Sequence, residues 1–139
     1  MNTHLFRQAF VLILLSLIGG LLVPLMAIPR LGLSAHTIGL LSGVLLIAIG
    51  AIWPHFRLSS TQALVHQWAW LYSSYANWLA CLLGALLGAG KMTPIASAAA
   101  TGSPLEEALV AALFGSVGLS SFIAVGLSLW GLRRLPPLV

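Results

Sequence analysis

The chain has 139 residues, of which 60% are hydrophobic and only 6% carry a charge, and its mean hydropathy is +1.06. A water-soluble domain of average composition carries about a quarter charged residues, so no soluble fold is expected to bury this much apolar surface, and an integral membrane protein is. The formal charge of +4 comes from basic residues scattered singly; no basic stripe interleaves with stacking aromatics, which excludes a nucleic-acid partner.

The whole chain, 1–139, reads as a single transmembrane domain. About 20 apolar residues in helical form cross the hydrocarbon core, and four runs meet or approach that length: approximately 6–27, 36–53, 64–87 and 105–132. The pattern lacks the alternation of a barrel, so an all-α bundle of four transmembrane helices is expected. In the first run, Pro24 predicts a kink, and Ser16, Gly19, Gly20 and Val23 share a small-residue face. Leu25 stands where a signal-peptidase site would need a small residue, so the run reads as a retained helix. Between the first and second runs, "IPRLGLSAHTIG" (28–39) reads as a turn, with Ser34 as N-cap of the second span. His36 then falls in the first turn, where the helix dipole disfavours a cation and leaves the imidazole neutral and available as a base. His36, Gly39, Gly43 and Gly50 lie close to one face of that helix.

In the third run, Trp70, Ser74, Asn77, Cys81, Gly84 and Gly88 share a face. Cys81 alone forms no internal disulfide and no multi-cysteine metal site. Asn77 is an amide in mid-span and needs partners; it either bridges helices or, with Tyr75 and Trp78 of "YANW", lines a pocket for a small aromatic molecule. The remaining tryptophans, Trp53, Trp68, Trp70 and Trp130, read as interfacial anchors. His4, His55 and His66 read as ordinary interfacial residues, and no histidine spacing suggests a metal.

The longest stretch outside the spans runs from Gly88 to Pro104. Ser103 as N-cap, Pro104 at the first helical position and Glu106 three residues after the cap form a capping box for the fourth span. Glu107 is rotated about 100° from Glu106, onto a face with Ala111, Gly115, Gly118 and Ser121. An inward-facing acid at a membrane edge is a functional candidate; the structural alternative is an ion pair with Lys91 or Arg30. With the N-terminus inside, Arg7, Arg57, Arg133 and Arg134 lie on the cytoplasmic side and Arg30 and Lys91 on the other. The excess of basic residues places both termini in the cytoplasm.

Five segments, "PRLGLSAH" (29–36), "GAIWP" (50–54), "YANW" (75–78), "MTPIA" (92–96) and "GSPLEEALV" (102–110), together resemble the bacterial hydroxylaminobenzene mutases. The resemblance implies an integral enzyme of the bacterial inner membrane, an isomerase that turns hydroxylaminobenzene into 2-aminophenol during nitroarene degradation, with no organic cofactor. For such a rearrangement we expect Glu107 as acid and His36 as base, with Arg30 orienting one of them or stabilising the departing oxygen; the resemblance leaves open which of Glu106 and Glu107 the family requires. Asn77, Tyr75, Trp78, Ser34 and Thr93 would bind the arylamine. The small-residue faces predict a homo-oligomer. The rival reading is a small four-helix multidrug or proton-coupled transporter, but such exporters rely on an acid in the first span, and here that span has none.

Overall fold

A computed structural model describes residues 1–133; Arg134 of the orientation argument lies outside the described residues. The described chain is helical. Four long helices, α1 (Thr3–Leu22), α2 (Pro29–Ala51), α3 (Ser60–Leu87) and α5 (Pro104–Gly131), are joined by short 3₁₀ turns and by a loop that holds the one-turn helix α4 (Pro94–Ser97). Three of them, α1 with its 3₁₀ extension, α2 and α5, are long and apolar enough to cross a membrane. α3 is as long as α5, but Tyr72, Ser73, Ser74, Tyr75 and Asn77 dilute its apolar middle.

Each helix boundary has a local cause. Asn2 caps α1, accepting a hydrogen bond from the Leu5 amide at 3.2 Å. α1 ends at Leu22, and Pro24 sits in a 3₁₀ turn, Val23–Leu25. Pro24 therefore terminates the helix instead of kinking a longer one, as its missing N–H dictates. α2 begins at Pro29, seven residues before the expected span, with no side-chain cap. Proline at N1 needs no donor and arrives with helical φ. The expected turn is thus the first three turns of α2. Ser34 is inside the helix, its hydroxyl donating to the Arg30 carbonyl at 3.1 Å, and does not cap it. Ser59 and Gln62 form a capping box for α3, and Ser103 and Glu106 form the expected one for α5. Gly88 ends α3 in the left-handed region at φ +73, where glycine alone escapes a Cβ penalty.

α1 packs on α2, α2 on α3, and α3 on α5, with α1 also touching α3. The expected glycine faces hold where α1 meets α2. A Cβ on Gly43 would reach Ile13, and one on Gly50 would lie 2.8 Å from the Phe6 ring. On α5 they face no helix of the same chain: a Cβ on Gly115 or Gly118 meets no atom within 4 Å among the described residues, and Gly19 on α1 is equally open. Cys81 is buried, as expected.

α5 buries few side chains, among them Val110 and Ala124, and a polar knot helps to dock it. The Trp70 indole N–H donates to His66 Nε2 at 2.9 Å and approaches Ser128 Oγ at 3.2 Å. Ser128 Oγ lies 2.8 Å from His66 Nε2 and donates to the Ala124 carbonyl at 2.8 Å. The Trp53 ring stacks on His66 and the Phe56 ring meets it edge-on. His66 and Trp70 are therefore core residues, not the interfacial residues expected: His66 is fully buried, because its partner Ser128 comes from a helix 62 residues away. Ser128→Ala removes the hydroxyl by which α5 meets His66 and Trp70, a net loss of about 0.5–1.5 kcal/mol per hydrogen bond. The expected outcome is a lower unfolding temperature in detergent, checked by thermal scanning against the parent.

The two ends of the molecule differ in charge. Arg57 lies at one end, where its amide donates to the Gly131 carbonyl at 2.9 Å and Arg133 Nη1 approaches its carbonyl. The Asn2 amide bonds to Gly50 O there, so the first turn of α1 and Arg7 share that end. Arg30, Lys91, Glu106 and Glu107 are at the other, where α2 and α5 begin.

Candidate active site

The loop from Gly88 to Ser103 is held as a unit. The Ser97 hydroxyl and the Thr93 amide both donate to the Gly90 carbonyl at 2.9 Å. Ala98 and Ala99 adopt left-handed φ values of 50° and 62°, a costly conformation for non-glycine residues. They are kept there by bonds from Ala99 N to Pro94 O and from Ala100 N to Ser97 O. Unpaired strain of this kind gathers where a chain must hold a particular shape.

Glu107 closes the loop. Its carboxylate accepts from the Gly102 amide at 2.8 Å and from the Lys91 amide at 3.1 Å. One side chain on the first turn of α5 therefore ties both ends of the segment, and neither the Lys91 ammonium nor Arg30 forms an ion pair with it among the described residues.

This clasped loop forms one wall of an open groove of about 710 Å³. Met92, Thr93 and Pro94 face Arg30, Ser34 and Thr37 of α2 across it. Three of the expected residues, Arg30, Ser34 and Thr93, thus come together, and Thr37 joins them one turn beyond Ser34. Nothing in the sequence separates Thr37 from other helical threonines until α2 is known to start at Pro29. Glu107 faces the opposite side of the loop, in a second groove of about 720 Å³ with Lys91, Thr101 and Ala111.

His36 is turned elsewhere. It is half-buried against α1, with Nδ1 2.7 Å from the Ser16 carbonyl and its ring over Gly20. Trp78 reaches the same junction: a Cβ on Gly39, one turn after His36, would overlap Ser16 Oγ and lie 2.7 Å from Trp78 Cδ1. His36, Ser16 and Trp78 are therefore neighbours where α1, α2 and α3 meet. Glu107 is in a different environment, and among the described residues no hydrogen bond links it to His36.

Tyr75, Asn77 and Trp78 do not form one wall: Asn77 is rotated about 100° from Trp78 and about 160° from Tyr75, and Tyr75 and Trp78, though three apart, meet different parts of the neighbouring helices. Tyr75 leans on α1, donating to the Gln8 carbonyl at 2.8 Å and approaching Gln8 Oε1 at 3.1 Å. It lines a separate pocket of about 260 Å³ with His4, Trp68 and Tyr72. Asn77 lies on the buried side of α3 with Ser73, Ser74 and Cys81, yet stays only partly covered, and its amide has no hydrogen bond among the described residues. A mid-helix amide without an intrachain partner is free to bind a ligand or a second chain.

The chain matches a family model described as styrene oxide isomerase over residues 1–133. Two curated relatives come from Ectopseudomonas oleovorans. Hydroxylaminobenzene mutase HabA is 42% identical over 135 residues, covering 96% of this chain and 100% of HabA. Hydroxylaminobenzene mutase HabB is 42% identical over 134 residues, covering 96% of this chain and 82% of HabB. No solved structure matches. The chain belongs to the styrene oxide isomerase family of isomerases, together with the hydroxylaminobenzene mutases it matches along nearly its whole length.

Proposed function

We propose that this protein is a hydroxylaminobenzene mutase that converts hydroxylaminobenzene, and arylhydroxylamines like it, to the 2-aminophenol in nitroarene degradation. The observation that carries the reading is 42% identity to two mutases of that name, one of them matched over its full length. We place the chain in the bacterial inner membrane as a four-span bundle with both termini cytoplasmic. α3 is the fourth span, since it is long enough and packs between α2 and α5. The end bearing Arg7, Arg57 and Arg133 faces the cytoplasm, following the excess of arginine there. A homo-oligomer is supported by Gly115 and Gly118, which lie open on α5 as small residues do at helix contacts in membranes.

The reaction breaks the N–O bond, forms a C–O bond at the ortho carbon, moves the ortho proton off the ring and returns a proton to nitrogen. Nothing is gained or lost overall. The step needs a group that weakens the N–O bond by hydrogen bonding or charge, and a base for the ring proton. His36 is the base. Arg30, with Ser34 and Thr93, lines the separate groove on another face of α2 and draws the polar hydroxylamine toward the chain there. Trp78 stacks on the ring, Asn77 hydrogen-bonds the amine and Tyr75 supports α3 on α1. Glu107 supplies the acid or, through its bonds to Gly102 and Lys91, the shape of the groove; the two roles have different consequences on substitution.

The test is turnover. Protein purified in detergent is given hydroxylaminobenzene, and product is separated by chromatography. 2-Aminophenol in stoichiometric yield without added reductant or oxidant is the expected result. Unchanged substrate, or a product other than the ortho isomer, sinks the assignment.

A further inference from the structure

We infer that the cleft between α1 and α3, at the arginine-rich end, is a binding site for a single aromatic ring that bears a hydroxyl group. Taking 2-aminophenol as its natural occupant rests on the mutase reading; the site for a phenolic ring does not.

The walls are aromatic. Trp68, Tyr72 and Tyr75 of α3 face His4 and Gln8 of α1 around about 260 Å³. A cavity of about 150 Å³ holds one benzene, so there is room for one substituted ring and not for two. No Arg, Lys, Asp or Glu is among the described residues that line it, so it suits a neutral ring and not a phosphate or carboxylate, which would be left without a counter-charge.

The polar groups are set by a chain of hydrogen bonds that begins at the backbone. The Leu5 amide donates to Asn2 Oδ1 at 3.2 Å, which turns the Asn2 amide nitrogen to Gln67 Oε1 at 2.7 Å. Gln67 Nε2 is thereby left to approach His4 Nδ1 at 3.4 Å. That nitrogen accepts, so in a neutral ring the proton of His4 is on Nε2, and this N–H has no partner among the described residues. On the facing wall, the Ser116 hydroxyl is committed to the Leu113 carbonyl at 2.7 Å. The Tyr72 hydroxyl therefore donates to Ser116 Oγ at 2.7 Å and keeps lone pairs of its own. The Gln8 carboxamide has one end 3.1 Å from the Tyr75 hydroxyl, and its other end has no partner among the described residues. The cleft thus offers stacking faces together with a donor and an acceptor, the pair that a phenolic hydroxyl uses.

Tryptophan and tyrosine are common at membrane edges as anchors, and an exposed Trp68 would follow from that alone. An anchoring belt does not require the relay that orients His4, nor an amide left unpartnered beside Tyr75.

Trp130 provides the control. It lies toward the same end and is 53% exposed, against 57% for Trp68, but it packs against Arg133 and away from the cleft. Phenol dissolved in the detergent shell reaches both indoles, whereas a site in the cleft singles out Trp68. The experiment uses full-length protein with ¹⁵N-labelled tryptophan in detergent near neutral pH, titrated separately with phenol, toluene and 2-aminophenol. The two indole signals are assigned by their loss in Trp68→Phe and Trp130→Phe. The expected result is a saturable shift of Trp68 with phenol and a shift of Trp130 that rises in proportion to the phenol added. Toluene has the ring without the hydroxyl and leaves the cleft's donor unpaired. Scaled by its Trp130 response, it should bind about tenfold more weakly than phenol. Tyr72→Ala removes one stacking wall and should weaken phenol binding by about tenfold.

Parallel, unsaturated shifts of both indoles overturn the site, and so does toluene that binds as tightly as phenol. Both outcomes are read on unmodified protein, even if Tyr72→Ala does not fold. 2-Aminophenol should saturate the same Trp68 signal and compete with phenol for it. None of this binding requires turnover. A protein that binds phenol at Trp68 but leaves hydroxylaminobenzene unchanged retains the site and counts against the mutase reading. An active mutase with no saturable Trp68 shift retains that reading and loses the site.

Discussion

His36→Gln is expected to lower conversion of hydroxylaminobenzene by about 10²- to 10⁴-fold, the usual contribution of a positioned proton acceptor. Glutamine is the informative replacement because it keeps similar bulk and an N–H donor for the Ser16 carbonyl, which His36 engages at 2.7 Å. Helix packing around Gly20 and Gly39 is therefore preserved, while the basic nitrogen is lost. Helical content and elution volume in detergent should match the parent. Loss of kcat with little change in KM marks a group that acts in the transition state and not in binding. If His36→Gln turns over at close to the parental rate, another group takes the ring proton. The other histidines give a comparison: His55 is exposed, with Nδ1 only 3.3 Å from the Ile52 carbonyl, and His55→Gln should leave turnover unchanged.

Local signals in the sequence carried the helices and their caps, and failed where a contact joined distant helices. The capping box of Ser103 and Glu106 was legible because both partners lie within three residues and use only their own backbone. The start of α2 is not legible from its neighbourhood, because Ser34 has the chemistry of an N-cap. Two facts outside its neighbourhood decide otherwise: Pro29 can begin a helix without a donor, and the Ile28 amide is anchored 3.0 Å from the Ala85 carbonyl of α3. The groove is hidden with it, since Arg30, Ser34 and Thr37 line one wall only when all three are helical. His66 shows a partly readable case. Its spacing of four from Trp70 places the indole N–H on its ring, a pairing the sequence contains, but Ser128 completes the knot from another helix. The alignment of Ser16 with His36 was not readable at all, because it depends on how α1 and α2 slide against each other. Gly115 and Gly118 teach the converse: a small-residue face records where a helix can be approached, and among the described residues of this one chain none approaches it.

Glu107 admits two roles that substitution separates. As a clasp, it matters because its two oxygens hold the Gly102 and Lys91 amides, which fixes the loop carrying Met92, Thr93 and Pro94 over Arg30 and Ser34. As an acid, it matters because of a proton. Both of its oxygens are already engaged by backbone amides at the two ends of the loop, and the clasp is the role we expect. Glu107→Gln keeps one carbonyl acceptor and cannot supply an acidic proton, whereas Glu107→Ala keeps neither. Each lost bond to a charged acceptor costs about 1.5–3 kcal/mol. In Glu107→Ala the amides from Lys91 to Gly102 should therefore exchange with deuterium faster by about ten- to a hundredfold, and turnover should fall because the groove wall is no longer held. Glu107→Gln should show intermediate exchange and retain a substantial part of the parental kcat. A Glu107→Gln protein that is fully protected in the loop yet catalytically dead would reverse the assignment, since only the loss of an acidic proton then separates it from the parent.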